Sequence, residues 1–186
     1  KWKYHSMTYR INSRGAPPGA VGAIIRAASS WNHVKSSSFS FIYKGETEKE
    51  PFIGMDGTNL VAFEVSEPEY AEYVAYNSYF YDIRTGEIME SDITVNMRHA
   101  FSTEGTDTAY DVQNIATHEF GHSAGLADLC LEPEPCGPED PRAQYTMYAW
   151  SEPGETKKST LEDDDEAGIT YLYPNRGFTP AYFLLK

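Results

Sequence analysis

At 186 residues the chain has the length of one domain. Apolar residues make up 40% of it and aromatics 14%, enough for a core that needs no structural metal and too many for a disordered chain. Acidic residues number 28 against 15 basic ones, a formal net charge of −13, which argues against nucleic acid or an anionic membrane as partner. No apolar run approaches the roughly 18 residues of a membrane span.

Residues 7–11 read as a first strand. After Pro17 and Pro18, apolar Val21, Ile24, Ile25, Ala28 and Trp31 recur at spacings of three and four, predicting an amphipathic helix that ends near Val34. Phe39, Phe41 and Tyr43 alternate with Ser40 and Ile42 as a largely buried strand. A turn at Asp56 and Gly57 precedes a strand over 60–65. Strands over 74–81 and 88–96 follow, joined through Arg84-Thr85-Gly86-Glu87, which is hairpin chemistry.

A loop rich in Gly, Thr and Asp (102–108) leads into a second helix over 111–124. Residues 126–158 contain several prolines and no sustained period, and an irregular stretch of that length in a small domain is usually functional or disordered. A third helix is expected over 159–171. Leu161, Gly168, Ile169 and Leu172 share one side of it, and Asp163, Asp164 and Asp165 lie near its positive N-terminal end. The tail, 175–186, either packs back on the domain or begins a linker.

The second helix carries His118-Glu119-Phe120-Gly121-His122. Residues four apart share a helical face, so both imidazoles point the same way. Val112, Ala116 and Phe120 form a stripe about 200° round from His118 at 100° per residue, so one face packs while the other holds a metal. Two imidazoles one turn apart suit zinc, and Glu119 between them suits a general base. Gly125 then permits the positive φ that ends a helix and turns the chain back, so that Asp128 reaches the metal from a third direction.

The run His118 to Asp128 (HEFGHSAGLAD), with Met147 downstream in Thr146-Met147-Tyr148 as a Met-turn, resembles the metzincin zinc endopeptidases. Within them the chain is similar to the catalytic domain of the matrixins. The closing segment LEDDDEAGI (161–169) and the opening Thr8-Tyr9-Arg10-Ile11 followed by a helix to Trp31 carry the same likeness. The third ligand position holds Asp128 where the family pattern has His. Carboxylate is an acceptable zinc ligand, is known in some metzincins, and is expected to leave the bound water less acidic.

The resemblance implies an α+β fold with a twisted, five-stranded mixed sheet, two long helices, a zinc cleft, a Met-turn and a C-terminal helix. It implies a catalytic domain over 1–174, followed by the 175–186 tail. Its activity is endopeptidase cleavage of protein or peptide substrates. One catalytic zinc is held by His118, His122 and Asp128, and Glu119 is the general base. The chain is read as a monomer with no nucleic acid and no membrane partner, secreted to the extracellular side, where Cys130 and Cys136 can form a short disulfide.

On the same reading the strand ending at Asn96 forms the upper rim of the cleft, and Tyr148 and Trp150 line a pocket wall. His5, His33 and His99 are scattered, and no second zinc is expected. Calcium is admitted at Asp56, Asp107 and Asp111. The alternatives are a catalytically silent or narrowly specific extracellular zinc-binding module on this fold, and a zinc protease of another class with Glu132, Glu134 or Glu139 as third ligand.

Overall fold

The computed structural model describes residues 1–130 and 137–177. Five strands, β1 (Ser6–Asn12), β2 (Ser40–Glu46), β3 (Leu60–Glu64), β4 (Ala75–Tyr81) and β5 (Ile88–Asn96), form one mixed sheet in the order β2-β1-β3-β5-β4. β1 runs parallel to both β2 and β3, β3 runs parallel to β5, and β4 is antiparallel to β5. Two-residue strands β6 (Phe101–Ser102) and β7 (Tyr110–Asp111) pair beside the second helix. They are too short to leave a periodic signal in the sequence.

Helices α1 (Ala20–Asn32) and α2 (Val112–Ala124) pack on one face of the sheet, and α3 (Asp163–Leu172) is the last helix of the described residues. The buried stripe of α1, comprising Ala20, Ala23, Ile24, Ala27, Ala28 and Trp31, meets Val112, Ala116 and Phe120 of α2 in the main core. Trp31 also donates Nε1–H to the Thr117 carbonyl (2.9 Å), so the helices are joined by a hydrogen bond as well as by apolar contact. Phe120 packs against Tyr9 of β1 and Phe41 of β2, seating α2 on the sheet.

Three expectations are corrected. The Phe39 to Tyr43 strand is half-buried, because β2 is an edge of the sheet: Phe39 and Phe41 face the core, and Ile42 faces solvent. The third helix starts at Asp163, four residues later than read, because a 3-10 turn occupies Lys157–Ser159. Asp165 reaches back to the Glu162 N–H (2.9 Å), which fixes the start of α3. The strand ending at Asn96 is not the rim of a cleft: β5 is paired on both sides, and β4 is the edge strand next to it. Hydrophobic alternation identifies strands but not their order in the sheet.

Of the tail, only 175–177 is described, so its packing lies outside the described residues.

Candidate metal centre

α2 starts at an Asp111 cap, whose carboxylate accepts the Asn114 N–H (2.9 Å), and ends at Gly125 in the left-handed region (φ 101°). There the Gly125 N–H reaches the His122 carbonyl (2.8 Å) and the Leu126 N–H reaches Gly121 (3.0 Å), reversing the chain. Four residues on, Leu129 and Tyr148 are bridged: the Leu129 N–H donates to the Met147 carbonyl (2.7 Å) and the Ala149 N–H to Leu129 (3.2 Å). Asp128 is held between that reversal and that bridge. Its Oδ1 lies 3.1 Å from His118 Nε2 and 3.3 Å from His122 Nε2.

His118, His122 and Asp128 form a group whose ligand atoms all lie within 4.8 Å of one another, the one such group of three or more among the described residues. Each ring is aimed by a backbone carbonyl behind it: Thr146 for His118 Nδ1 (2.7 Å) and Leu126 for His122 Nδ1 (3.0 Å). A carbonyl only accepts, so both rings carry their proton on Nδ1 and turn an Nε2 lone pair inward. The two Nε2 atoms are 3.1 Å apart, and Asp128 Oδ1 is buried with no hydrogen-bond donor among the described residues. Three electron-pair donors thus converge on one point, an arrangement that a cation satisfies.

The carboxylates favour positive charge at this point, which a proton on His122 supplies where no cation is held and a metal ion would supply in its place. Burial alone would lower the pKa of His122, but Asp128, Glu119 and the Leu126 carbonyl override it and carry it to about 9. Burial would raise the Asp128 carboxyl, and the two imidazoles instead hold it far below the usual carboxylate range. The pocket demands positive charge, and the donor set, two imidazoles and a carboxylate, fits zinc with a position left open.

Glu119 is 4% exposed, and its Oε2 has no hydrogen-bond partner among the described residues. Burial is the main reason its pKa is raised. Its backbone carbonyl accepts from Asn77 of β4 (3.2 Å), whose amide also bonds Ser123 (2.7 Å) and Ser91 (3.0 Å). This small polar network fixes α2 against β4 and β5. Sequence reading missed it, since lone Ser and Asn residues carry no motif.

Below the helix Met147 is buried, and a Cβ on Gly121 would overlap its Sδ and lie 2.9 Å from Trp31. The Met147 turn is tied to α3: Asp165 accepts the N–H groups of Thr146 (2.9 Å) and Met147 (3.1 Å).

The group opens into a cleft of about 920 Å³. Residues 73–77 and Tyr79 form one wall, so the edge strand β4 takes the place expected of the strand ending at Asn96. Tyr148 and Trp150 line the cleft as expected, and so does Lys158, a residue the motif search did not single out.

The remaining candidates lie elsewhere. His5 bonds Ser38, His33 bonds Ser29, and His99 bonds the Ala71 carbonyl. Asp56 pairs with Lys49 (2.8 Å) and Asp111 is the α2 cap, so with Asp107 they form no metal-capable group among the described residues. Glu139 is not part of the centre, and Glu132, Glu134 and Cys136, the expected partner of Cys130, lie outside the described residues.

Known structures share this fold at low identity. The chain is similar to metalloproteinase-II from Bacteroides fragilis, with 13% identity and a TM-score of 0.51, covering 94% of this chain and 55% of that one. The chain therefore spans about half the length of that protein. It is similar to myroilysin, at 15% and 0.53, covering 95% of this chain and 83% of that one. It is also similar to an archaemetzincin from Methanopyrus kandleri, at 14% and 0.54, covering 91% and 97%. The family model of the matrixins matches residues 1–174. The chain, with its inward-facing His, His and Asp beside a buried Glu, belongs to the matrixin family of zinc metallopeptidases.

Proposed function

We propose that the chain is a zinc-dependent endopeptidase. One observation carries the reading. Three electron-pair donors converge beside a buried carboxylate with an unpartnered oxygen, in a cleft walled by an edge strand of the sheet. Zinc held by His118, His122 and Asp128 would supply the Lewis acid that polarises the scissile carbonyl and acidifies water.

The chain's own residues supply the rest. An extended substrate adds to the outer edge of β4, backbone to backbone, which holds the scissile bond over the centre. Glu119 takes a proton from the attacking water and delivers it to the departing amine nitrogen. Its raised pKa suits a group that must keep a proton between those two transfers. The Thr146 and Leu126 carbonyls keep both rings in one tautomer and orientation. Met147 is packed floor and not a ligand. No side-chain nucleophile takes part.

A secreted monomer is part of the same proposal, supported by the family and by the spacing of Cys130 and Cys136.

The test is cleavage of an unfolded protein such as casein. The wild type cleaves it, a chelator stops cleavage and added zinc restores it, while Glu119→Ala binds zinc and does not cleave. Zinc binding by a wild type that cleaves nothing in a broad peptide library would replace this reading with that of a silent zinc-binding module.

A further inference from the structure

Lys158 is 1% exposed, yet it lines the same cleft as His118, Glu119 and Asp128. Its ammonium bonds the Trp150 carbonyl and lies 3.3 Å from Glu155 Oε1 and 5.9 Å from the centre of the Tyr148 ring. A lysine carries three N–H donors, and among the described residues this one has two acceptors. Leaving the third donor of a buried ammonium unmet is costly unless something else supplies the acceptor.

The ammonium is one of two ties on the cleft wall, through Trp150 and Glu155. Asn114, fully buried in α2, is the other: its Nδ2 reaches Ser151 Oγ (3.1 Å) and Glu155 Oε1 (3.3 Å). Its Oδ1 accepts the backbone N–H of Lys158 (2.8 Å), a bond any residue at 158 would make. The wall therefore has a second tie that is independent of the ammonium, and the ammonium's own two ties leave its third donor directed to neither.

We propose that Lys158 determines specificity. It selects substrates that place a long side chain ending in an uncharged hydrogen-bond acceptor, glutamine foremost, beside the cleaved bond. The assignment rests on the endopeptidase reading. Tyr110, Ile115, Tyr148 and Trp150 wall the cleft, which suits an elongated side chain with an apolar stem. An aliphatic end would bury the ammonium without its third acceptor. A carboxylate end would meet Glu155 at the ammonium and Glu72, Glu119 and Asp128 across the cleft. An amide oxygen avoids both penalties.

The experiment uses the zinc-loaded chain and peptides varied at the residues on both sides of the cut, read by mass spectrometry. Defined peptides carrying Gln, Leu or Glu at the selected position follow. The wild type cleaves the Gln peptide about tenfold or more faster than the Leu and Glu peptides, as expected of a pocket built around a hydrogen bond. Lys158→Met, which keeps the stem and the backbone tether, brings the Gln-to-Leu ratio near one.

Calorimetric binding of the same peptides to Glu119→Gln reads the pocket without turnover and gives the same order. An unchanged ratio in Lys158→Met, or a wild type that prefers Leu or shows no preference, overturns the assignment and leaves the endopeptidase reading standing. Binding preference for Gln by Glu119→Gln, with no cleavage of any peptide by the wild type, overturns the endopeptidase reading and leaves the assignment.

Discussion

Asp165 links the last helix to the metal centre, and its removal is the most informative perturbation of the fold. The side chain is 1% exposed and accepts three backbone N–H groups: Thr146 (2.9 Å), Met147 (3.1 Å) and Glu162 (2.9 Å). The first two bonds are buried and the third is half-buried. Each buried N–H left without an acceptor costs about 1–3 kcal/mol, so Asp165→Ala is expected to destabilise the zinc-free chain by about 3–5 kcal/mol.

Asp165→Asn is expected to cost less but still more than about 1 kcal/mol, because its amide oxygen can keep the Thr146 and Glu162 bonds while its NH2 faces the Met147 N–H. The consequence continues into the site, because the Thr146 carbonyl is the acceptor that orients His118. Zinc affinity should fall about 10- to 100-fold, the usual cost of losing a support behind a metal-binding histidine. Urea unfolding of the zinc-free protein at constant m reads the first effect, and competition with a chelator reads the second. A loss under about 1 kcal/mol in both variants, or unchanged zinc affinity, would refute the argument that this carboxylate sets the Met147 turn.

Two further perturbations test the account away from Asp165. Gly121→Ala places a methyl against Met147 and Trp31, and overpacking there should cost about 1–3 kcal/mol; a variant as stable as the wild type in urea would show that the floor is looser than described. Asp92 accepts the Leu60 N–H (2.8 Å) while its buried Oδ2 has no partner among the described residues, and burial is the main cause that lifts its carboxyl to about 7. Between its unfolded value and 7 the folded chain holds a proton the unfolded chain has released, so this contribution to stability falls as pH rises through that window. Asp92→Asn keeps the acceptor for Leu60 and removes the titration. It should gain about 1–2 kcal/mol over the wild type at pH 8 relative to pH 5, after discounting for partial exposure, and equal pH dependence of the two urea midpoints would sink the assignment.

Much of the centre was legible because its chemistry is local. His118 and His122 share a face through helical geometry alone, and Gly125 sits where a reversal needs positive φ, so the approach of Asp128 followed from spacing. The stripe of Val112, Ala116 and Phe120 is buried as read. What was not legible depends on contacts distant in sequence. β4 and β5 alternate alike, and only pairing across the sheet decides which one faces the cleft. Lys158 carries no motif, and its backbone is tied to Asn114, 44 residues earlier. Asp165 reads as one acid among three at a helix start, and its bonds to Thr146 and Met147 span 19 and 18 residues.

The most direct measurement is the zinc stoichiometry and ligand set of the purified chain, by metal analysis and zinc X-ray absorption, compared with Asp128→Ala. The account predicts one zinc per chain with two imidazole nitrogens and carboxylate oxygen, and a marked loss of affinity in the variant. Zinc absent from the wild type, bound through sulfur, or held equally well by Asp128→Ala would contradict it.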